Sequence, residues 1–386
     1  MNRYNGTYPE LIQTIIFSLD EADSGCIDVS FEYELPQSVV RFEITLPSAV
    51  DITTTSGFNN REGRWVWNKS NPQPKLAGTY RISDDDSEGA YYVDAGDWAI
   101  TNAPARSSSW RYRGLEPQLI KRCRVDGEGI ASPDGAVVFL GNHEVVENSD
   151  PVQPLTLVVP AASKLAEPPS EIFEAVEHTS RYLDIGGYRR DVLMIAAASD
   201  EAQWGPLGSQ TGNSGFWTLD RCRLDKSGST WIHEYVHTRQ EPTFEESMEW
   251  FTEGSACYYA ALCSIQLGNI SFTEGREFLK TSVDPDAVVR NPETWNTTST
   301  KYTKGRRVVA ALDCKIRDHT NNSTDLRDVW RFLNRRYETA GYDEFLTALR
   351  MVVPSPSKVI TWADRYVNGA ETPPLPRDPA AFGLAQ

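Results

Sequence analysis

Two kinds of hydrophobic spacing divide the chain. Over about the first 155 residues, short stretches mix apolar and polar positions at strand spacing, as in Thr14-Ile15-Ile16-Phe17-Ser18-Leu19 and Val39-Val40-Arg41-Phe42-Glu43-Ile44. A period of two sends successive side chains to opposite faces of a strand. The Gly, Asn, Asp and Pro clusters between these stretches supply turns. This pattern predicts an antiparallel β-domain, a sandwich or a close variant. The composition shifts at Pro160-Ala161-Ala162-Ser163-Lys164-Leu165-Ala166-Glu167-Pro168-Pro169, which reads as a linker. Beyond it, Ser170 is placed to cap a helix whose Ile172, Phe173, Val176 and Tyr182 share one face. The apolar run Val192-Leu193-Met194-Ile195-Ala196 predicts a buried strand, and from about Ser229 onward the spacing is mostly helical. The expected organisation is a β-rich domain over residues 1–160 and a second, mainly helical domain over 161–386. Together they make an α+β protein with no internal repeat.

Composition narrows the function classes. Of the 386 residues, 40% are apolar and 11% aromatic, enough to bury a sizeable core. The net charge is −16, and the cations are mostly arginine, 28 Arg against 10 Lys. Such a surface repels nucleic acid and anionic lipid, so neither is expected as a partner. Acidic, lysine-poor surfaces also suit work in high salt, a halophilic setting. The six cysteines form no C-x-x-C pair and read as buried reduced thiols, not as a disulfide framework or a cysteine zinc site. The start, Met1-Asn2-Arg3-Tyr4-Asn5, lacks the charged and apolar segments of a secretory leader. No stretch approaches the roughly 18 apolar residues of a membrane span. A soluble cytoplasmic protein is expected. The run Ser83-Asp84-Asp85-Asp86-Ser87 lacks the alternating ligands and closing Glu of a calcium loop, and reads as a solvated acidic turn.

The chemistry concentrates in Trp231-Ile232-His233-Glu234-Tyr235-Val236-His237, an H-E-x-x-H pattern in a chain with only five histidines. On a helix, positions i and i+4 lie one turn apart on the same face, so two imidazoles converge on one metal ion. Glu234, next to the first of them, reaches a water at that metal without binding the metal itself. Zinc hydrolase sites take three protein ligands and leave one position open. Glu253, 16 positions after His237 in Glu249-Trp250-Phe251-Thr252-Glu253-Gly254, suits a second helix crossing the first. Spacing alone leaves an ordinary solvated carboxylate as the alternative, since Glu245, Glu246 and Glu249 stand close by. His143 and His178 fall outside the pattern and read as structural. His319 suits the C-terminal end of a helix. Arg306 and Arg307 read as a solvated helix face, with substrate carboxylates as the alternative they could meet.

With these segments side by side, the chain resembles the glycyl aminopeptidase family within the gluzincin clan of H-E-x-x-H metallopeptidases. In that clan a W-[FLV]-x-E-G segment carries the third zinc ligand. Here that segment is Trp250-Phe251-Thr252-Glu253-Gly254, and the resemblance makes Glu253 the third ligand. Tyr302-Thr303-Lys304-Gly305, followed by Leu312-Asp313 and Ile316-Arg317, resembles the family's Y-x-K-G helix. That match implies that Tyr302 stabilises the oxyanion. Leu326-Arg327-Asp328-Val329-Trp330 and Asp364-Arg365-Tyr366-Val367-Asn368-Gly369 resemble later helices of the family. Gly127-Glu128-Gly129 and Val137-Val138-Phe139-Leu140-Gly141 resemble the edge of its β-domain. The likeness covers residues 170–376 with the more specific motifs and 1–160 in outline. It implies a thermolysin-like catalytic domain after the β-domain.

There are departures from the family pattern. The PDZ domain that often follows in the family is not expected here, soon after Pro373-Pro374-Leu375-Pro376. The region corresponding to the amine-binding Gly-x-Met-Glu-Asn segment of related aminopeptidases reads Gly212-Asn213-Ser214-Gly215-Phe216-Trp217, with no Glu. This stretch is expected as an edge strand pairing with substrate backbone. The expected activity is hydrolysis of peptide bonds in a peptide or protein substrate. The resemblance implies that Zn2+ is held by His233, His237 and Glu253, with Glu234 as general base and Tyr302 as oxyanion donor. Aminopeptidase specificity is one form of this activity. The alternatives are a catalytically inactive zinc- or peptide-binding relative, and a zinc hydrolase acting on a non-peptide substrate.

Overall fold

The computed structural model describes residues 8–19, 26–81, 95, 97–132, 134–148, 153–185, 191–199, 207–210, 212–282, 284 and 286–384. The acidic run at Ser83–Ser87 lies outside them. The chain divides into two compact units. One comprises Met1–Val145, Leu157–Ser163 and Leu193–Trp204, the other Val146–Thr156, Lys164–Val192 and Gly205–Gln386. Among the described residues no helix is long and apolar enough to cross a membrane.

Among its described residues the first unit is built from β-strands. A five-stranded sheet runs in the order Gln118–Val125, Glu10–Ser18, Cys26–Glu34, Lys75–Arg81, Val50–Ser56. Its first pair is parallel and the rest antiparallel. A four-stranded antiparallel sheet follows the order Phe58–Arg61, Arg64–Trp67, Val39–Thr45, Ser107–Tyr112. Alternation explains the packing. In Cys26–Glu34 the residues Ile27, Val29, Phe31 and Tyr33 are buried, while Asp28 and Glu34 stay exposed. Tyr33 of the larger sheet meets Phe42 and Phe58 of the smaller one at ring distances of 4.9 and 5.7 Å. The core of this unit is therefore formed between two sheet faces. The expected β-domain is present, with the parallel Glu10–Ser18 pairing as its one departure from antiparallel order in these two sheets.

The second unit is mainly helical. It contains α1 (Pro169–Leu183), α2 (Thr230–His237), α3 (Glu249–Gln266), α4 (Phe272–Lys280), α5 (Thr300–Thr320), α6 (Leu326–Arg336), α7 (Tyr342–Val352) and α8 (Ser357–Val367). Ser170 does not cap α1. Pro168 holds the cap position and Pro169 opens the helix, because proline's fixed φ suits the first turn. Ile172, Phe173 and Val176 are buried as their spacing predicts. The strand Val192–Ala197, which from Leu193 onward belongs to the first unit, is buried along its whole length.

The axis of the unit is the crossing of α3 and α5, and two glycines set its distance. A Cβ at Gly254 would lie 2.6 Å from the carbonyl carbon of Gly305, and one at Gly305 would lie 2.7 Å from the Trp250 carbonyl oxygen. The helices therefore touch backbone to backbone. Below the crossing sits a buried polar knot. Asp313 of α5 accepts from the Tyr258 hydroxyl at 2.6 Å, from Arg317 Nε at 2.8 Å and from the Leu326 backbone N–H at 2.7 Å. Arg317 also meets Asp325, at 3.0 Å. One carboxylate thus ties α3, α5 and the start of α6 together. This gives Asp313 and Arg317 of the Leu312-Asp313…Ile316-Arg317 segment a structural role.

Candidate metal centre

α2 is buried nearly all round. Trp231 donates its indole N–H to the Cys222 carbonyl at 3.1 Å, and the Tyr235 hydroxyl donates to Gln153 Oε1 at 2.9 Å. Ile232 and Val236 are buried as well. These anchors fix the rotation of the helix, and the half-buried His233 and His237 face the one open side. α3 delivers Glu253 to the same point, because the close contact at Gly254 lies one residue further on.

The three side chains converge. His233 Nε2 and His237 Nε2 lie 3.1 Å apart, and Glu253 Oε2 lies 3.3 Å from the first and 3.2 Å from the second. Among the described residues this is the group of His, Cys, Asp and Glu side chains arranged to hold a metal ion. Ligand atoms about 2.0 Å from a tetrahedral zinc stand about 3.3 Å from one another, which matches all three separations. The outer nitrogens complete the argument. His237 Nδ1 donates to Gln240 Oε1 at 2.9 Å, and Gln240 in turn donates to the Thr252 carbonyl at 3.0 Å. His233 Nδ1 lies 3.6 Å from Cys257 Sγ. With the protons on Nδ1, both Nε2 lone pairs and a carboxylate oxygen point at one spot. Such a donor set is electrostatically unfavourable unless a cation joins it, and it fits Zn2+.

Electrostatics separate the two carboxylates. Burial favours the neutral form of Glu253, but the two imidazoles outweigh this and hold its carboxyl well below the usual carboxylate range. Burial raises Glu234, the imidazoles offset only part of the rise, and Glu253 adds to it. Glu253 is thus kept as an anion, whereas Glu234 is poised to take up a proton. Room for Glu234 comes from Gly208, where a Cβ would stand 3.0 Å from Glu234 Cγ. Tyr302, in the first turn of α5, has its ring 6.2 Å from that of His233. Burial, followed by Glu253 and Glu234, raises its hydroxyl well above the usual phenol range, so it remains a proton donor.

The centre opens into a cleft of about 480 Å³ lined by His233, Glu234, His237, Glu253 and Tyr302. Glu241, Glu245, Glu246 and Glu249 line it too. On one side stands the strand Gly208–Gln210, which pairs with Gly215–Leu219 and is terminal in its sheet. This corrects the sequence expectation for the edge strand. Most of Gly212–Trp217 belongs to or leads into the inner strand Gly215–Leu219, which is buried throughout. The edge beside the centre is Gly208–Gln210, and it carries Gln210. Arg306 also differs from expectation. It is buried, with its guanidinium 3.8 Å from the Phe278 ring centre and Nη2 donating to the Thr281 carbonyl at 3.3 Å. Arg307 reaches the carbonyls of Pro373 and Lys280, both at 2.8 Å. His143, His178 and His319 lie away from the centre and contact Gly141, Gln266 and Pro354 respectively. Sequence reasoning missed Gln240 and Cys257. Their offsets, three after His237 and four after Glu253, were the available signal.

No known family model matches the chain, and no curated protein matches it in sequence. Solved structures do match in fold. An M1 zinc metallopeptidase from Deinococcus radiodurans superposes with a TM-score of 0.64 at 12% identity, over 96% of each chain. A point mutant of that protein with a Tyr-Ser-Ala substrate bound gives 0.63 at 12% identity, again over 96% of each chain. An aminopeptidase N family protein from Idiomarina loihiensis gives 0.64 at 14% identity, over 94% of this chain and 77% of its own. The chain shares with these structures a fold of a β-domain and a mainly helical domain.

Proposed function

We propose that the protein is a zinc-dependent peptidase whose metal is held by His233, His237 and Glu253. The observation that carries this reading is the convergence of three lone-pair atoms at 3.1–3.3 Å beside a buried carboxylate, in an open cleft. The fold shared with M1 zinc metallopeptidases supports it. Zinc bound there supplies Lewis-acid chemistry, acidifying water and polarising a carbonyl.

The chain's own residues do the rest. Glu234 accepts the proton of the attacking water and passes it to the leaving amine, as a carboxylate with raised proton affinity is suited to do. Tyr302, protonated and beside His233, donates to the oxygen that gains charge in the tetrahedral adduct. The strand Gly208–Gln210 offers backbone groups at a sheet edge to an extended peptide. Glu241, Glu245, Glu246 and Glu249 favour a cationic group in the cleft, either a free amino terminus or a basic side chain.

The test is cleavage of a peptide mixture containing free and N-acetylated members of each sequence, read by mass spectrometry. Loss of single residues from free peptides only makes the protein an aminopeptidase. Internal cuts in both forms make it an endopeptidase. No cleavage by zinc-loaded protein removes the peptidase reading and leaves a non-peptide hydrolase or an inactive binding relative.

A further inference from the structure

The two imidazoles of the centre are held on their outer nitrogens by different chemistry. His237 Nδ1 faces the amide oxygen of Gln240. His233 Nδ1 faces a sulfur, Cys257 Sγ, at 3.6 Å. The outer partner of a metal-bound histidine is ordinarily a carboxylate, a backbone carbonyl or water. We propose that Cys257 is a positioning residue of the metal centre: its sulfur accepts the Nδ1–H of His233 and so fixes the tautomer and ring plane that aim Nε2 at the metal. The inference rests on the reading of the centre as a zinc site.

Three observations carry it. Cys257 stands one turn after Glu253 on α3, so a metal ligand and the support of another ligand come from one rigid helix. Cys257 is only 6% exposed, so bulk water is a poor substitute acceptor for the imidazole N–H. The guanidinium of Arg306 on α5, itself 8% exposed, interacts electrostatically with the same sulfur. A buried cation acting on the sulfur polarises it and strengthens it as an acceptor. Without that acceptor the Nδ1–H would be buried and unpaired. The competing tautomer would then put the proton on Nε2, the atom the metal needs.

The experiment measures zinc dissociation constants by chelator competition for the parent chain and for Cys257→Ala, Cys257→Ser and Cys257→Asp. Thermal unfolding of each metal-free chain checks the fold. Cys257→Ala is expected to weaken zinc by about 10–100-fold, whereas serine and aspartate, which keep an acceptor, hold it within about threefold of the parent. Alanine binding as tightly as the parent overturns the proposal. So does serine failing as badly as alanine, because packing alone would then explain the loss. If the alanine variant does not fold, aspartate decides, parent-like affinity supporting the proposal and a loss above about tenfold overturning it. A parent chain that binds no zinc defeats the reading of the centre itself. A parent that binds tightly beside indifferent variants defeats only the role of Cys257.

Discussion

The contact between α3 and α5 makes a demanding prediction for Gly254→Ala. The added Cβ would stand 2.6 Å from Gly305 C, 2.8 Å from Gly305 O and 2.9 Å from Val309 Cγ2. Ordinary contact begins at about 3.5 Å, and two of these three atoms are backbone, so the helices must separate by about 1 Å. Overpacking of this kind costs about 1–3 kcal/mol, and the gain in helix propensity returns up to about 1 kcal/mol. The net loss of stability is therefore modest, at most about 3 kcal/mol. Geometry suffers more. Glu253 is the neighbouring residue on α3 and Tyr302 sits on α5, so both shift relative to α2. Binding constellations tolerate only about 0.5 Å of error. Zinc affinity should fall at least about tenfold while the metal-free chain still unfolds cooperatively. Chelator competition and thermal unfolding on the same samples measure the two effects. Gly275→Ala is the control, because its Cβ would meet only side-chain atoms of Ile265 and Ile270. Parent-like zinc affinity in Gly254→Ala would refute the claim that this crossing sets the centre.

Three other outcomes follow from the same geometry. Glu234→Gln should lower peptide turnover by about 10²–10⁴-fold with zinc content unchanged. Its sign with pH is also fixed: Glu234 has a raised pKa in the folded state, so the metal-free fold loses stability as pH rises above the ordinary carboxylate range, and the Gln variant should melt higher at neutral pH. A lower melting point for the variant would count against the burial argument. Tyr302→Phe should reduce kcat by about 10²–10³-fold with little change in KM, measured by steady-state kinetics; a change confined to KM would make Tyr302 a binding residue. Asp313→Ala should destabilise the chain by about 3–5 kcal/mol in denaturant titration, because it strips a buried partner from Arg317.

Much of the centre was legible in the sequence because its parts are local. His233, Glu234 and His237 lie within two turns of one helix, so spacing alone places both imidazoles on one face. Glu253 and Tyr302 needed the flanking Trp250-Phe251 and Lys304-Gly305 pattern to stand out from neighbouring carboxylates and tyrosines. What stayed hidden depends on the approach of distant segments. The strand Gly208–Gln210 is three residues long, too short to show a period, so Gly212–Trp217 drew the assignment instead. Arg306 looked like a solvent-facing charge until Phe278 of α4 was seen to cover it. The sulfur contact at His233 joins residues 24 positions apart on two helices. Gly254 and Gly305 matter through a helix crossing whose distance no single segment encodes. In the β-domain, alternation predicted the strands Glu10–Ser18 and Val39–Thr45 well, but not that the first pairs in parallel with Gln118–Val125.

The central claim is that His233, His237 and Glu253 hold a metal. Elemental analysis of the purified chain, beside a His233→Ala variant prepared identically, tests it most directly. The account predicts about one zinc per chain in the parent and essentially none in the variant. A parent chain that takes up no metal after incubation with zinc at neutral pH would contradict it.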